Sequence, residues 1–508
     1  MARDVSRREI LAAGAAVAFG GGALAGPAQA AVGGDLAAPA KGGGGGKRPN
    51  VLFVAIDDLN DWTGFLGGYP GVRTPNLDRL AKIATGFTRA YTPAPACKPG
   101  RASILFGVEP HKSGVYTNDS GDWWQSDLAD KPSIVRFFRD AGYKTIGTGK
   151  LFHGGWRHNG DEPRGNDPDA WTEFEPLTEL IQSGKEILEW GPEGKTEKTE
   201  DVGRAEWLVD NVLSKRHGKP FFAAFGLRKP HMPWVVPQEW FDRYPENKLD
   251  YPLGALDVEH TGIRGNKDVR DLSDAGRAMI EQHVKDHRRI IAGKGWKSAI
   301  QAYLAAISLA DHAVGLVLDG LKKGPNAADT IICVWSDHGW QLGEKLAWRK
   351  FTLWERATRV PMLIGGPGLK AGLSDTLISS IDLYPTLAQL AVGEAPKHLD
   401  GVSFAKYLRG KGGEPRDHVL STWSLDLKEG GGANAHRHFA VRDKTYRLIV
   451  YGDGSRELYD HRVDPWEWTN LLDKTNRGQA DQGAVAELER FVPKRSAPEV
   501  GDSKNEED

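Results

Sequence analysis

Four continuous apolar runs, rich in β-branched and aromatic residues, mark the mature part of the chain. They span residues 50–56, 220–226, 330–336 and 359–364. Apolar runs of this length without polar alternation are typical of strands buried on both faces of a largely parallel sheet. Residues 144–153 predict a further strand that runs into a glycine-rich turn. The pattern therefore predicts an α/β fold with a large mixed, mostly parallel sheet sandwiched by helices.

Helical periodicity is clearest before the third of these runs. Residues 299–321 carry apolar side chains at helical spacing and predict a core helix. Residues 74–81 and 381–387 predict the starts of two further helices, and residues 102–106 are compatible with another. Residues 245–294 are polar and irregular in pattern, and we interpret them as an insertion near the rim of the cleft.

The pattern changes from about residue 399 to short alternating strands. Residues 438–442 and 446–451 predict an antiparallel sheet, and residues 484–492 predict a final helix. We therefore predict a catalytic domain over 49–398 and a smaller α+β subdomain with an antiparallel sheet over 399–495. The remaining residues, 496–508, end in an acidic stretch and are predicted to be disordered.

The N-terminus has the layout of a twin-arginine signal peptide. The paired Arg7 and Arg8 precede a mildly apolar run, and Ala28-Gln29-Ala30 is a small-x-small cleavage site. The run is too short and too rich in glycine for a stable membrane anchor. We predict a signal peptide over 1–30, a flexible linker over 31–48, and export by the twin-arginine translocon to the periplasm or the medium.

Composition narrows the function less than the motifs do. A formal net charge of -2 gives no reason to expect nucleic acid as a partner. Two cysteines exclude a disulfide framework, and Cys333 lies in an apolar run typical of inert core. Several of the 17 tryptophans lie in polar, loop-like contexts: Trp62, Trp123, Trp124, Trp156 and Trp234. They are equally compatible with stacking on sugar rings and with packing under loops.

Two predicted strands end in side chains that bind metals. Asp57 and Asp58 follow the strand at 50–56, and Asp337 and His338 follow the strand at 330–336. The carboxyl ends of parallel strands meet at one edge of a sheet, where open α/β sheets bind ligands. Adjacent carboxylates repel each other and are costly to desolvate unless a cation neutralises them. The strand endings therefore predict a metal site, whereas a solvated turn would explain Asp57 and Asp58 alone.

Cys97 lies in an unusual loop, Pro95 to Ser103, built of Pro, Gly, Lys and Arg. A thiol at a helix N-terminus beside Arg101 has a lowered pKa, because the dipole and the guanidinium favour the thiolate. A free cysteine is more often a small buried hydrophobe. The polar composition of the loop favours the reactive interpretation.

Cys97-Lys98-Pro99-Gly100-Arg101 resembles the Cys-x-Pro-x-Arg signature of the formylglycine-dependent (type I) sulfatases of the alkaline phosphatase superfamily. The resemblance covers nearly the whole mature chain. It is strongest to the iduronate sulfatase and choline sulfatase branch, because His338 replaces Asn and because of the Gly149 to His153 stretch. The chain departs from the family at Gly100, where Ser is common.

The resemblance implies an alkaline-phosphatase-like fold and a sulfuric ester hydrolase. A formylglycine-generating enzyme would convert Cys97 to formylglycine, and the hydrated aldehyde would attack the sulfur of a sulfated small molecule or glycan. One divalent metal, calcium or alternatively manganese, would be bound by Asp57, Asp58, Cys97, Asp337 and His338. The remaining catalytic residues would be Arg101, Lys150, His153, His231 and Lys350, with Lys345 and Arg349 close to the last in sequence.

Two other functions are compatible with these residues. A phosphonate monoester or phosphodiester hydrolase would use the same formylglycine and metal. A non-catalytic relative that binds sulfated glycans would keep Cys97 as a thiol, but the intact set of charged residues argues against it.

Overall fold

The computed structural model describes residues 48–153, 167–175, 189–258, 266–293, 295–425 and 436–501. The predicted signal peptide and all of the linker but its last residue lie outside these ranges. An eight-stranded sheet forms the centre, with strand order β12-β2-β11-β8-β1-β6-β3-β4. All neighbouring strands pair in parallel except around β11, which is antiparallel to both β8 and β2. The prediction of a mixed, mostly parallel sheet is confirmed.

Sixteen strands lie in the described part of the chain. They are β1 (Asn50–Ile56), β2 (Thr85–Tyr91), β3 (Lys144–Gly149), β4 (Glu173–Phe174), β5 (Trp190–Pro192), β6 (Phe221–Leu227), β7 (Trp234–Val236), β8 (Thr330–Ser336), β9 (Gln341–Leu342), β10 (Trp348–Arg349), β11 (Met362–Gly365), β12 (Gly372–Ser379), β13 (Val419–Ser424), β14 (Arg437–Arg442), β15 (Tyr446–Val450) and β16 (Arg456–Asp460).

Helices cover the sheet and fill the connections. The α-helices of the described residues are α1 (Pro75–Ala81), α2 (Cys97–Phe106), α3 (Pro110–Ser113), α4 (Ile134–Asp140), α5 (Glu200–Leu208), α6 (Gln238–Phe241), α7 (Asp274–Ala292), α8 (Trp296–Lys323), α9 (Glu355–Thr358), α10 (Leu383–Ala391), α11 (Ala405–Leu408) and α12 (Gln482–Glu489). A π-helical turn, Val209–Leu213, follows α5 directly. Single 3₁₀ turns occur at Trp123–Gln125, Pro168–Ala170, Thr196–Lys198, Glu246–Lys248, Ala327–Asp329, Glu344–Leu346, Ser380–Asp382 and Arg477–Gln479.

The position of β1 at the centre of the sheet sets the position of the site. All seven of its residues are buried, as its unbroken apolar sequence predicts. Ile56 pairs with Leu227 of β6 on one side and with Ser336 of β8 on the other. The three strands therefore end level with one another, so that the residues following each of them lie at a single edge.

Helix α8 packs on one face of the sheet as a core helix, as its periodicity predicts. It is long and apolar enough to span a membrane, but most of its apolar stretch is buried inside the protein. Its side chains share one apolar cluster with β1 and β6, and Tyr303 on this helix reaches the end of β1. The helix therefore supports the edge of the sheet at which the metal-binding side chains were predicted.

The segment 245–294 is not irregular throughout, and this part of the prediction is wrong. Residues Asp274–Ala292 form the 19-residue helix α7, which Ser273 caps by accepting a hydrogen bond from the backbone N–H of Gly276. The apolar side of α7 includes the buried imidazoles of His283 and His287. Histidines at core positions obscure the helical apolar pattern in the sequence.

The C-terminal region contains a separate four-stranded antiparallel sheet, in the order β13-β14-β15-β16, with α12 packed on it. This agrees with the α+β subdomain expected from the alternating pattern. The segment 496–508 was predicted to be disordered, but residues 496–501 are hydrogen-bonded to the catalytic domain. The backbone N–H of Ala497 donates to the carbonyl of His111, and Gly121 N–H donates to the carbonyl of Val500.

Candidate active site

Asp57 and Asp58 lie directly beyond the carboxyl end of β1 and are fully buried. Asp58 adopts a left-handed backbone conformation, with φ of 62°. The hydroxyl of Tyr303 donates to its carbonyl at 2.8 Å, and its own N–H donates to Asp337 Oδ1 at 3.2 Å. These bonds hold a conformation that is sparsely populated in non-glycine residues and that aims both carboxylates at the sheet edge.

Four potential metal ligands meet at this edge. Ligand atoms of Asp57, Asp58, Cys97 and His338 all lie within 4.8 Å of one another. His338 Nε2 lies 3.2 Å from Asp58 Oδ1, while its Nδ1 lies 2.8 Å from the carbonyl of Gly339. A carbonyl at Nδ1 fixes the ring so that Nε2 faces the cluster, which is the arrangement of metal-binding histidines.

Asp337 lies beside this cluster with both carboxylate oxygens engaged. Oδ2 accepts from Arg101 Nε at 2.8 Å, and Oδ1 accepts from the backbone N–H groups of Asp58 and His338. Oδ1 also lies 3.7 Å from His338 Nε2. Burial raises the pKa of Asp337 to about 6 despite Arg101. Asp337 thus orients the strand ends as well as lying within reach of the cluster.

Cys97 is the first residue of helix α2 and is fully buried at the focus of the cluster. Its Sγ lies 2.9 Å from Lys350 Nζ and 3.2 Å from His338 Nε2. Burial alone would raise the pKa of the thiol, but Lys150, Lys350 and His338 hold it well below the usual range. The reactive interpretation of this cysteine is therefore the one that the geometry favours, whereas Cys333 is buried in the core with a raised pKa.

Gly100 lets helix α2 approach the sheet edge closely. A Cβ added at this position would lie 3.1 Å from the carbonyl oxygens of Ala94 and Asp337. A serine side chain here would require one of these neighbours to shift. The departure from the family signature at this position therefore coincides with tight packing beside Asp337.

Arg101 lies beneath the cluster with no exposed surface. Its guanidinium bridges Asp57 and Asp337 and also donates to the carbonyls of Lys150 and Leu151. With its donors committed in this way, Arg101 neutralises the buried carboxylates and links three of the segments that build the site.

Lys150 and His153 reach the site because β3 turns sharply at its end. Gly149, with φ of 78°, pairs with Gly226 of β6, and a Cβ on Gly149 would lie 1.9 Å from the Gly226 carbonyl oxygen. The turn brings Lys150 Nζ into an ion pair with Asp57. Burial lowers the pKa of His153, although the nearby Cys97 acts to raise it. Both predicted residues are thus in the site.

His231 and Lys350 complete the site from two loops. His231 Nε2 lies 3.9 Å from Asp58 Oδ2, and this side chain is 29% exposed, so it lies at the open side. Lys350 is almost fully buried and donates to Asp58 Oδ1 at 2.7 Å. Its sequence neighbours are engaged elsewhere, Lys345 with Asp268 and Arg349 with Asp286. The structure thus brings together every residue that the sequence analysis nominated.

Some nearby residues have structural roles. The backbone N–H groups of Arg228 and Lys229 donate to Asp201, and Lys229 Nζ donates to the carbonyl of Pro233. Trp340, whose ring lies 5.4 Å from Lys350 Nζ, was not singled out. Only its position shortly after the Asp337 strand distinguishes it from the other tryptophans.

Of the two roles left open by the sequence, the structure shows packing for two of these tryptophans. Trp62 and Trp234 are fully buried and pack in the core, which supports packing under loops. Trp124 is 37% exposed and Trp123 is half-buried, near His153. Trp156 lies outside the described residues.

The residues of the cluster fit a divalent cation. Asp58 Oδ2 is buried and has no hydrogen-bond partner among the described residues. Arg101, Lys150 and His231 lower the pKa of Asp57 well below its usual range despite its burial and the nearby Cys97. Buried carboxylates beside a histidine nitrogen form a mixed oxygen and nitrogen donor set, which suits calcium through its oxygens and manganese through both.

The fold and this site define a sulfatase. The sulfatase family profile matches residues 49–394, and the profile of the N-sulphoglucosamine sulphohydrolase C-terminal region matches residues 343–492. The chain belongs to the sulfatase family. The identification made from the Cys-x-Pro-x-Arg signature is therefore confirmed.

Individual relatives agree with this assignment. A sulfatase of Formosa agariphila is 35% identical over 469 residues, covering 89% of this chain and 87% of the relative. The choline-sulfatase of Rhizobium meliloti is 29% identical, covering 86% and 85% of the two chains. The human iduronate 2-sulfatase is 29% identical, covering 78% and 74%.

Solved structures share the fold. The phosphonate monoester hydrolase of Agrobacterium radiobacter has a TM-score of 0.68 at 21% identity, covering 87% of this chain and 95% of the other. A protein solved in complex with its substrate D-glucosamine-2-N,6-O-disulfate has a TM-score of 0.66 at 22% identity, covering 87% and 96%. At these identities the likeness establishes the fold alone.

Proposed function

We propose that this sulfatase hydrolyses a sulfate ester on a sulfated carbohydrate, using formylglycine formed from Cys97 as the nucleophile. The observation that carries the proposal is the position of Cys97. Its side chain lies at the first residue of α2, within 4 Å of Asp58, His338 and Lys350. The Sγ atom marks the place from which the hydrated aldehyde of formylglycine would present its hydroxyl to sulfur.

Asp57, Asp58 and His338 would hold the metal, with Asp337 beside them. A divalent cation bound there supplies Lewis-acid stabilisation of the charge on the sulfate oxygens. Calcium is our first proposal, because carboxylate oxygens dominate the donor set, and manganese is the alternative that His338 supports.

We assign the binding of the sulfate group to the two lysines of the site. Lys150 approaches Asp57 from the end of β3, and Lys350 approaches Asp58 and Cys97 from the loop after β10. Fixed cations in a buried site stabilise charge that shifts onto oxygen in the transition state. Arg101 acts from beneath by neutralising Asp57 and Asp337.

The two histidines are placed for proton transfer. His231 lies at the open side of the site, where the departing alcohol would leave, and we assign it the protonation of that oxygen. His153 lies near Cys97, and burial lowers its pKa, which keeps the imidazole neutral near pH 7. It is therefore available as a base for the group at position 97.

Sulfated sugars are the substrate class that the relatives support. One relative is named N-acetylglucosamine-6-O-sulfatase and another ulvan-active sulfatase, and the C-terminal profile is that of N-sulphoglucosamine sulphohydrolase. We also retain the proposal that the chain is exported by the twin-arginine route. It rests on the pattern of residues 1–30 alone.

Relative rates on two ester classes test the proposed function. Protein produced together with a formylglycine-generating enzyme is assayed with an aryl sulfate, a panel of sulfated monosaccharides and a phosphonate monoester. We expect kcat/KM to be highest on a sulfate ester and the Cys97→Ala variant to be inactive. A higher kcat/KM on the phosphonate would assign the chain to that chemistry, and sulfate binding without turnover would favour a binding protein.

A further inference from the structure

We propose that helix α7 positions Lys350, with His283, Asp286 and His287 as the positioning residues. This assigns a role to the segment 245–294, whose sequence gives none. The inference rests on the proposed function in one respect only, since it takes Lys350 to be a sulfate-binding residue.

The loop that carries Lys350 is held in an unfavourable backbone conformation. Six non-glycine residues of the described chain have positive φ, and four of them lie within residues 345–351 around Lys350: Lys345, Leu346, Arg349 and Phe351. Left-handed backbone at non-glycine residues persists only where the surrounding structure over-determines it. Because both sequence neighbours of Lys350 are among the four, external contacts must hold this lysine in place.

Helix α7 supplies contacts of this kind on both sides of Lys350. Trp348 Nε1 donates to His287 Nδ1 at 2.9 Å, and Arg349 Nη2 forms an ion pair with Asp286 Oδ2 at 2.7 Å. The ring of His283 stacks on that of Phe351, with 6.3 Å between the centroids and 18° between the planes.

The three α7 residues form one surface. Positions 283, 286 and 287 have the three- and four-residue spacing that places side chains on a single helix face. Burial lowers the pKa of His287 to about 4, so the imidazole is neutral and Nδ1 can accept the Trp348 hydrogen bond. Burial and Arg349 lower the pKa of His283 to about 3, so it too packs as a neutral ring.

These contacts place the ammonium group of Lys350 inside the active site. Its Nζ lies 2.9 Å from Cys97 Sγ and 2.7 Å from Asp58 Oδ1, with the side chain only 5% exposed. The loop is also attached to the Cys97 segment, since Phe351 N–H donates to the carbonyl of Pro95 at 3.0 Å. A rotation of the loop away from α7 would withdraw the ammonium group from the sulfate position.

Paired substitutions at His287 test the proposal. His287→Leu removes the acceptor for Trp348, whereas His287→Asn keeps an acceptor near the Nδ1 position. The probe is inorganic sulfate, and its Kd is measured by calorimetry alongside kcat and KM for an aryl sulfate. We expect His287→Leu to weaken sulfate binding and lower kcat/KM by about 10-fold, the loss of roughly one well-aligned hydrogen bond. His287→Asn is expected to stay within about 3-fold of wild type.

Two further variants guard against a folding defect. Asp286→Asn weakens the contact to Arg349 at a half-buried position and is expected to act in the same direction as His287→Leu. Glu281→Ala changes an exposed residue of the same helix and serves as the matched control. If His287→Leu and Asp286→Asn lower the unfolding temperature but leave sulfate affinity unchanged in the folded fraction, α7 is merely structural and the proposal fails.

A double-mutant cycle makes the test specific to Lys350. In a Lys350→Ala background, His287→Leu should cause no further loss of sulfate affinity, because residues that act through one group are not additive. Additive losses would overturn the proposal. Absence of sulfate-ester turnover in the wild-type enzyme would contradict the proposed function instead, while sulfate binding would still test the role of α7.

Discussion

The two lysines of the site are supported in opposite ways. Lys150 extends from the end of strand β3 of the eight-stranded sheet, where Gly149 and Gly226 allow β3 and β6 to approach each other closely. Lys350 extends from a loop outside the sheet, in which Arg349 and Phe351 have positive φ and contact α7. One cation is therefore positioned by the sheet and the other, in our proposal, by helix α7.

This difference separates what the sheet supplies from what helix α7 supplies. Asp57, Asp58 and Lys150 directly follow the ends of two strands, so that formation of the sheet is enough to position them. The position of Lys350 depends on helix α7, which belongs to the segment that the sequence analysis interpreted as an insertion. A change in that segment would therefore alter the support of Lys350. The following predictions compare the support of Lys350 by its loop (the loop side) with the support of Lys150 by the sheet (the sheet side).

Removal of Asp58 is expected to have the largest effect, because this carboxylate serves both sides. It lies in the metal cluster and also accepts from Lys350. Asp58→Ala should lower kcat/KM by more than about 1,000-fold, since the several kcal/mol supplied by metal and lysine are lost together. Metal content measured by plasma mass spectrometry should fall in parallel. Asp130→Ala, at an exposed position, is the control, and full metal content in Asp58→Ala would contradict the assignment.

Arginine substitutions should distinguish the two lysines. Lys150 has a side chain 21% exposed, whereas that of Lys350 is 5% exposed. Lys350→Arg should lose about 100-fold or more in kcat/KM, because the larger planar guanidinium does not fit beside Cys97 and Asp58. Lys150→Arg should lose only about 10-fold. The measurement is kcat/KM from steady-state kinetics on one aryl sulfate. Equal losses at the two positions would contradict the difference in support between the two lysines.

A substitution at Gly226 tests the support of the sheet side. A Cβ there would lie 2.0 Å from the carbonyl oxygen of Lys150. Gly226→Ala should therefore lower the free energy of unfolding by about 2–4 kcal/mol, measured in urea. Gly218→Ala, where a Cβ meets nothing within 4 Å, should change it by less than about 0.5 kcal/mol. If Gly226→Ala had the same free energy of unfolding as the wild type, the ends of β3 and β6 would be able to move apart at little cost, which would contradict the prediction.

The C-terminal segment is expected to give the smallest effect. Glu499 accepts from Ser120 Oγ at 2.7 Å and lies 3.4 Å from Arg437. Glu499→Ala should lower the free energy of unfolding by about 0.5–1.5 kcal/mol, the usual contribution of a hydrogen bond, without changing kcat. Thermal unfolding and the aryl sulfate assay together check this. A large fall in kcat would place this segment among the supports of the catalytic site.

The sheet side of the site was predictable from sequence because strand endings are visible in it. Unbroken apolar runs end at Ile56 and Ser336, and the metal-binding side chains follow immediately. Parallel pairing then brings the strand ends to one edge. The family resemblance added Cys97 and its partners. It also selected Lys350 as the sulfate-binding lysine, although Lys345 and Arg349 are close to it in sequence.

Other features of the structure could not be predicted from the sequence, for physical reasons. Helix α7 was missed because His283 and His287 occupy buried positions on its apolar face, and neutral imidazoles there look polar in a hydropathy pattern. The segment 496–501 was missed because the groups that hold it lie far away in the sequence. They are the backbone of His111 and Gly121 and the side chain of Ser120, and local composition does not reveal such contacts. The left-handed conformations at Arg349 and Phe351 are likewise invisible, since neither residue type favours them.

The mass of the peptide that contains Cys97 tests the central claim most directly. Active protein, produced with a formylglycine-generating enzyme, is digested and the peptide is analysed by mass spectrometry. We predict the mass decrease that corresponds to replacement of the thiol by an aldehyde, in a fraction of molecules that rises with the specific activity on a sulfate ester. An unmodified thiol in protein that hydrolyses the ester at full rate would contradict the account.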